Sequence, residues 1–257
     1  MAVKAHGRMV FWEGASMWVF GMRPGDGAYP RSRPHAHHAV QLTIRLRGGF
    51  TLEAGTLTVR GPVAAVAPDC EHTFEAEGAV AHVFVDPDGR SGRELQRALL
   101  ATAPLVDVPA ARLGDLAERL RAAFDAPRVQ DDALIALGRA VVAQLAPEGE
   151  RDERPDVRVR RMSAWAAARL DAPLTLGEAA AHVGLSSGRA RHLFVAQTGL
   201  SFRTYVLWRR LTREVELFSQ GSTLTDAAHG AGFADSAHLS RTFRRMFGVA
   251  ADSLRMM

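Results

Sequence analysis

Thr175-Leu176-Gly177-Glu178-Ala179-Ala180-Ala181-His182-Val183-Gly184 returns later in the chain as Thr223-Leu224-Thr225-Asp226-Ala227-Ala228-His229-Gly230-Ala231-Gly232, at a constant offset of 48 residues. Past the glycine the offset becomes 49, pairing Phe194 with Phe243 and Gly199 with Gly248, so the second copy carries one inserted residue in its turn. Each copy has a local physical reading. Thr175 and Thr223 cap the start of a short helix, and Glu178 and Asp226, three residues on, reinforce that N-terminus. Ala180 and Ala228 are small where a second helix has to cross closely, and Gly184 and Gly232 suit a tight turn with positive φ. The second helices are predicted over 187–197 and 236–246. This is the helix-turn-helix plan, in which the second helix can lie in a DNA major groove.

Between the copies, a single helix is predicted from Phe202 to about Phe218, burying Tyr205, Trp208, Leu211 and Val215. Seventeen residues at about 1.5 Å each make a rod of roughly 25 Å. Such a rod suits two recognition helices set in successive major grooves on one face of DNA. Charge agrees with a polyanionic partner. Residues 155–257 carry 14 Arg against 8 acidic residues, whereas residues 1–154 carry 18 basic against 20 acidic. Basic side chains that neutralise phosphates release condensed counterions.

Upstream of this half the texture differs. A charged Pro/Gly stretch, residues 147–155, reads as a linker. From about Gly92 to Leu145 the period is helical. Leu113, Leu116, Leu120 and Phe124 share one face, and Leu134, Leu137, Val141 and Leu145 another. Two uses of these stripes stay open, covering the N-terminal domain or also packing against a twin in a homodimer. Residues 10–85 show short alternating or apolar runs, such as Gln41-Leu42-Thr43-Ile44 and Val80-Ala81-His82-Val83-Phe84-Val85, broken by Gly, Pro and Asp. That pattern predicts an all-β sandwich or barrel. The expected fold class is α+β, with a β-rich sensor domain over 1–90, a helical region over 91–154 and an all-α domain over 155–257. Its two helix-turn-helix units span about 175–197 and 223–246.

Composition excludes several classes. Among the 257 residues, 47% are apolar and 23% charged, the balance of a globular protein. No apolar run reaches the roughly 20 residues that cross a bilayer, and the first residues lack a signal-peptide pattern. Cys70 stands alone, which excludes an internal disulfide framework. These features point to the cytoplasm, with no membrane partner.

The segment from about Arg158 onward resembles the DNA-binding domain of the AraC/XylS family of bacterial regulators. The resemblance is carried by Leu174-Thr175-Leu176-x-x-Ala179-Ala180-x-x-Val183-Gly184-Leu185-Ser186, by Leu193-Phe194-x-x-x-Thr198-Gly199-Leu200-Ser201-Phe202, and by Ala228-x-x-Ala231-Gly232-Phe233-Ala234-Asp235-Ser236-x-x-Leu239-Ser240-Arg241-Thr242-Phe243-Arg244-Arg245-Met246-Phe247-Gly248. Departures are Ala251 and Leu254, where the family has Pro and an aromatic, and the small Gly188 and Ala190 in the first recognition helix, which fit fewer base contacts or a fraying helix. The resemblance implies base reading from Gly188, Arg191 and His192 in the first helix, and from Ser236, Ala237 and Arg241 in the second. Gly188 and Ala237 have no group to pair with a base edge. Arg191 and Arg241 can each form two parallel hydrogen bonds to guanine. Arg189, His238, Ser240, Arg244 and Arg245 are assigned to phosphates or the helix flank. Implied partners are duplex DNA, RNA polymerase and an effector. Activation and repression both stay open.

The β-rich segment resembles a cupin barrel, a fold often fused to such a domain as a sensor. His35-x-His37-x-x-x-Gln41 followed by Gly48 stands for its first motif, with Gln41 in place of a carboxylate. Gly61 and His72 keep the spacing of its second, with Ala67 and Asp69 replacing Pro and Gly. His35, His37, Gln41 and His72 therefore form a candidate set for one divalent transition metal, of a type suited to Zn, Ni, Cu or Fe(II). The neutral Gln41 weakens it. The alternative is a histidine-lined pocket for an organic effector. Cys70 reads as a small hydrophobe, with a thiolate ligand as its alternative, and His38 should face away from His37. Two functions are weighed. One is a regulator sensing a small molecule or metal. The other is a cupin oxygenase or isomerase with a DNA-binding tail, against which the missing acidic ligand counts, so no catalytic residue is assigned.

Overall fold

The computed structural model describes residues 5–12, 14–22, 29, 31–146, 156–219, 236–249 and 254–256, with 218–219, 236–239 and 254–256 by backbone alone. Two compact units divide the chain, one made of Met1–Glu150 with Phe243–Met257, the other of Arg151–Thr242.

In the first unit, β1 (Ala5–Trp12), β2 (Ala15–Gly21), β3 (Val40–Ala54), β4 (Leu57–Val59), β5 (Val63–Val66), β6 (Thr73–Val85), β7 (Leu105–Asp107) and β8 (Leu254–Met256) form one sheet in the order β7-β5-β3-β6-β2-β1-β8, with β4 beside β3. Only β8 on β1 is parallel. The all-β expectation holds for the sheet, but the barrel does not. Among the described residues, β7 and β8 end the ladder at opposite edges and do not pair with each other, so the sheet is not a closed barrel. The reason lies in the edge strands, which are three residues each and present few groups for closure. Curvature comes from the two long central strands. Gly48 faces Gly78 across β3 and β6, both at positive φ (68° and 90°), beside a register shift between Arg45 and Arg47. A Cβ on Gly48 would lie 1.9 Å from the Glu77 carbonyl oxygen, so only glycine permits this approach.

Alternation along the strands sorts two buried faces. Val40, Leu42 and Ile44 of β3 join Ala79, Ala81 and Val83 of β6 on one face, in a core shared with the helices α1 (Arg90–Leu99), α2 (Leu116–Asp125) and α3 (Asp131–Leu145). Leu120, Leu134, Val141 and Leu145 are wholly buried there. The helical stripes thus cover the sheet. The opposite face carries Gln41 and Thr43, both buried, and His82 and Phe84 in register with them.

In the second unit, α4 (Val157–Ala167), α5 (Leu176–His182), α6 (Ser187–Thr198) and α7 (Phe202–Ser219) enclose a core of Met162, Ala179, Ala180, Ala190, Phe194 and Tyr205. Thr175 and Glu178 form a reciprocal capping box, with the Glu178 N–H donating to Thr175 Oγ1 at 3.2 Å and the Thr175 N–H to Glu178 Oε2 at 3.0 Å. Gly184 makes the turn at φ +69°. Tyr205, Trp208, Leu211 and Val215 are all buried along α7. Arg210 is structural, since its guanidinium donates to the carbonyls of Leu170 and Ala172 at 2.8 and 2.6 Å and pins the loop before α5. Ser236–Phe247 forms a further helix, α8. The first helix of the second repeat, around Thr223–Gly232, lies outside the described residues.

Candidate functional sites

On α6, Ser186 caps the N-terminus by accepting from the Arg189 N–H at 3.4 Å, and Gly199 closes the C-terminus in the left-handed region. Between these stops the helix runs without interruption through Gly188. Arg189, Arg191 and His192 are exposed, while Ala190 and Phe194 point into the core. Ala190 is therefore small for packing, and its size takes nothing from the exposed face. On α8, Ser240, Arg241, Arg244 and Arg245 are exposed and Thr242, Phe243 and Met246 are buried. Ser236, Ala237 and His238 lie on the first turn of α8, where the backbone alone is described. Among described helices none is long and apolar enough to cross a membrane.

In the sheet unit, the histidines predicted as a set come together. His35 and His72 form an antiparallel bridge, exchanging backbone hydrogen bonds of 3.0 and 2.9 Å, which sets their rings side by side with centroids 4.3 Å apart. His37 reaches the same point, and the ligand nitrogens of His35, His37 and His72 all lie within 4.8 Å of one another. Backbone carbonyls orient two rings. His35 Nδ1–H donates to the Arg33 carbonyl and His72 Nδ1–H to the Cys70 carbonyl, both at 2.9 Å. These bonds assign the tautomers and leave each Nε2 with its lone pair. Among the described residues, His72 Nε2 is buried with no hydrogen-bond partner. Gln41 sits beside the trio, where its Oε1 accepts from His37 Nε2 at 2.7 Å and its Nε2 donates to Thr43 Oγ1 at 2.9 Å.

Burial and mutual repulsion keep the cluster uncharged. Desolvation, then the neighbouring His72, pushes His35 down to about 4, and the same causes hold His37 well below the usual imidazole range. His38 turns the other way, as expected. Burial lowers it, but Asp69 at 2.8 Å and Asp88 outweigh burial and raise it to about 9, making it a buried imidazolium clamp. Cys70 packs against the apolar cluster, and burial raises its thiol, so it behaves as a small hydrophobe.

Next to the histidines lies a cavity of about 80 Å³, whose walls include Trp18, Tyr29, Phe74, Phe84 and Phe247. Phe247 packs on Trp18 with centroids 4.5 Å apart, and the Arg33 N–H donates to the Gly248 carbonyl at 3.0 Å. Sequence reasoning offered a histidine-lined pocket but missed its aromatic walls and its fourth histidine, His82, whose Nδ1 lies 3.1 Å from Thr43 Oγ1 and which burial pushes down to about 3. The available signal was alternation. His82 is the polar member of an apolar strand and falls on the same face as Phe84.

A family model described as a helix-turn-helix domain, of AraC type, matches residues 179–257. The C-terminal segment is an AraC-type helix-turn-helix domain. Among curated proteins, this AraC-type segment is similar to the transcriptional activator RhrA of Rhizobium meliloti (strain 1021), 33% identical over 72 residues, which are 27% of this chain and 23% of that one. The chain thus spans about a quarter of the length of that relative. Among solved structures, ToxT from Vibrio cholerae O395 matches with a TM-score of 0.58 at 12% identity, over 93% of this chain and 96% of that one. Unsaturated-fatty-acid-bound ToxT from Vibrio cholerae strain SCE256 matches with a TM-score of 0.56 at 11% identity, over 92% of each chain. At these identities the likeness is one of fold, an N-terminal sheet domain joined to an AraC-type domain.

Proposed function

We propose that this protein is a sequence-specific DNA-binding transcription regulator whose N-terminal sheet domain binds a small effector. The observation that carries the reading is the AraC-type segment, in which a capped α6 bears Arg191 and His192 outward and buries Ala190, Phe194 and Thr198. The aromatic cavity supports the sensing half, and ToxT, similar in fold, has a structure with an unsaturated fatty acid bound. Its partners in this reading are duplex DNA and RNA polymerase, with Arg191, His192, Ser236 and Arg241 reading bases and Arg189, His238, Ser240, Arg244 and Arg245 on phosphates or the helix flank. The full chain is expected to bind duplex DNA with an affinity that falls steeply with salt. Fluorescence anisotropy across a salt series checks this. Absence of binding at low salt contradicts it.

A second reading concerns His35, His37 and His72. Three buried neutral imidazoles, two of them oriented by backbone carbonyls, fit a divalent transition metal in donor chemistry and in second-layer support. His72 Nε2, buried and without a partner among the described residues, is the position such an ion would satisfy. Gln41 then serves by holding His37. A metal here would supply a Lewis-acidic point for an effector oxygen or nitrogen. Simultaneous replacement of the three histidines by Ala is expected to abolish stoichiometric zinc uptake while circular dichroism stays unchanged. Equal metal content in variant and parent removes this reading.

A further inference from the structure

We propose that Phe247 is a built-in plug of the cavity, and that an effector enters by displacing it and so releases the end of α8. This rests on the effector-binding reading above and names the regulation of that site. Three observations carry it.

First, the cavity is too small for an organic effector. Its volume is about 80 Å³, whereas sites for such ligands usually run to roughly 300–1,000 Å³. Part of the lining has to leave. Second, Phe247 fills a place fit for a ligand ring. It is buried, and its ring packs against Trp18, Phe84 and His37 with centroids 4.5, 5.8 and 6.2 Å away. A flat apolar ligand would make the same tilted and edge-on contacts. Third, Phe247 is the wall that can move. Trp18 and Phe20 of β2, and Phe74 and Phe84 of β6, stand in strands tied into ladders. Phe247 instead ends α8, which buries Phe243 and Phe247, four residues apart, and exposes Arg241, Arg244 and Arg245. Phe243–Met257 belongs to the sheet unit, and just past Phe247 the Gly248 carbonyl accepts from the Arg33 N–H at 3.0 Å. This seat is exacting. Gly248 has φ +70°, and a Cβ there would lie 2.5 Å from both the Arg33 carbonyl oxygen and His35 Nδ1. Seating of this stretch and filling of the cavity by a ligand then exclude each other, and each weakens the other by the same factor.

The probe is 1-N-phenylnaphthylamine, an uncharged fluorophore that brightens in apolar surroundings, titrated into the full chain and two variants. Phe247→Ala removes the plug, and Gly248→Ala unseats it with the ring intact. A site closed most of the time binds more weakly by the fraction of time it is open. Both variants are therefore expected to bind the probe at one site about tenfold more tightly than the parent, the gain for a site open about a tenth of the time. Hydrogen exchange on the unaltered chain gives a reading that survives even where a variant fails to fold. Saturating probe should speed exchange in 243–257 while β3 peptides stay protected. Equal or weaker binding by either folded variant, or slower exchange in 243–257 with probe bound, overturns the plug and leaves the cavity as an effector site. No binding to parent or variants overturns the plug and the effector role of the cavity together, while the DNA-binding reading stays testable by itself.

Discussion

Phe194→Ala is expected to destabilise the α4–α7 unit by about 3–5 kcal/mol, the usual cost of emptying a buried aromatic site. Phe194 is fully buried, and its ring meets Phe202 and Tyr205 edge-on at centroid distances of 5.4 and 5.2 Å. Domains of this size are typically stable by only about 5–15 kcal/mol, so the loss takes a large share. Hydrogen exchange on α5 and α6 peptides should rise toward the unfolded rate, and DNA affinity should fall with it. The neighbouring Val195→Ala is the control. Val195 is 41% exposed, and surface changes of this kind usually stay within about 0.5 kcal/mol. Equal effects of the two changes would mean that α6 turns its other face to the core.

Acid should loosen the sheet unit well before most carboxylates protonate. His35 drops from 6.5 to about 4 and His82 to about 3 on folding, and His37 and His72 also fall, with burial the leading cause throughout. Below pH 6.5 the unfolded chain takes up protons that the folded one refuses. Stability is therefore complete above the unfolded value and is lost as pH falls toward the folded values. His35 alone corresponds to on the order of 3 kcal/mol across that window. His38 has the opposite sign. Raised to about 9, it adds stability that is full below 6.5 and is lost as pH rises through 9. Hydrogen exchange on β3 and β6 peptides should slow to a minimum near neutral pH, after correction for intrinsic rates. His82→Gln should flatten the acid arm, and His38→Gln the alkaline one. Equal protection at pH 5 and pH 7 would contradict the buried neutral cluster.

How much of this was legible in the sequence follows from the range of the forces involved. Thr175 with Glu178, Gly184 and the stripe of Tyr205, Trp208, Leu211 and Val215 are local patterns of period 3 to 4, and each appears in the structure as read. The cupin resemblance also grouped His35, His37 and His72, and the structure brings them together through one strand-like pairing. What local pattern could not carry was closure and the cavity walls. Closure of the sheet depends on which edges pair, and the cavity walls come from β2, β6 and the stretch after α8, far apart in sequence. His82 looked like one polar residue in an apolar strand, and only its register opposite Thr43 reveals what it faces. Ala190 was misread for the same reason, since its inward direction is a packing fact.

The account rests on α6 and α8 as base-reading helices, and randomised-site selection on the parent and three variants tests this most directly. A bidentate arginine–guanine contact is worth about 1–3 kcal/mol of discrimination. Arg191→Ala and Arg241→Ala should each erase preference at one or two adjacent base pairs, at positions about one helical turn apart. Arg245→Ala should leave the recovered motif unchanged, weaken all sites alike and lower the salt slope by about one. Recovery of the parent motif from Arg241→Ala and Arg191→Ala alike would contradict the assignment of these helices to base reading.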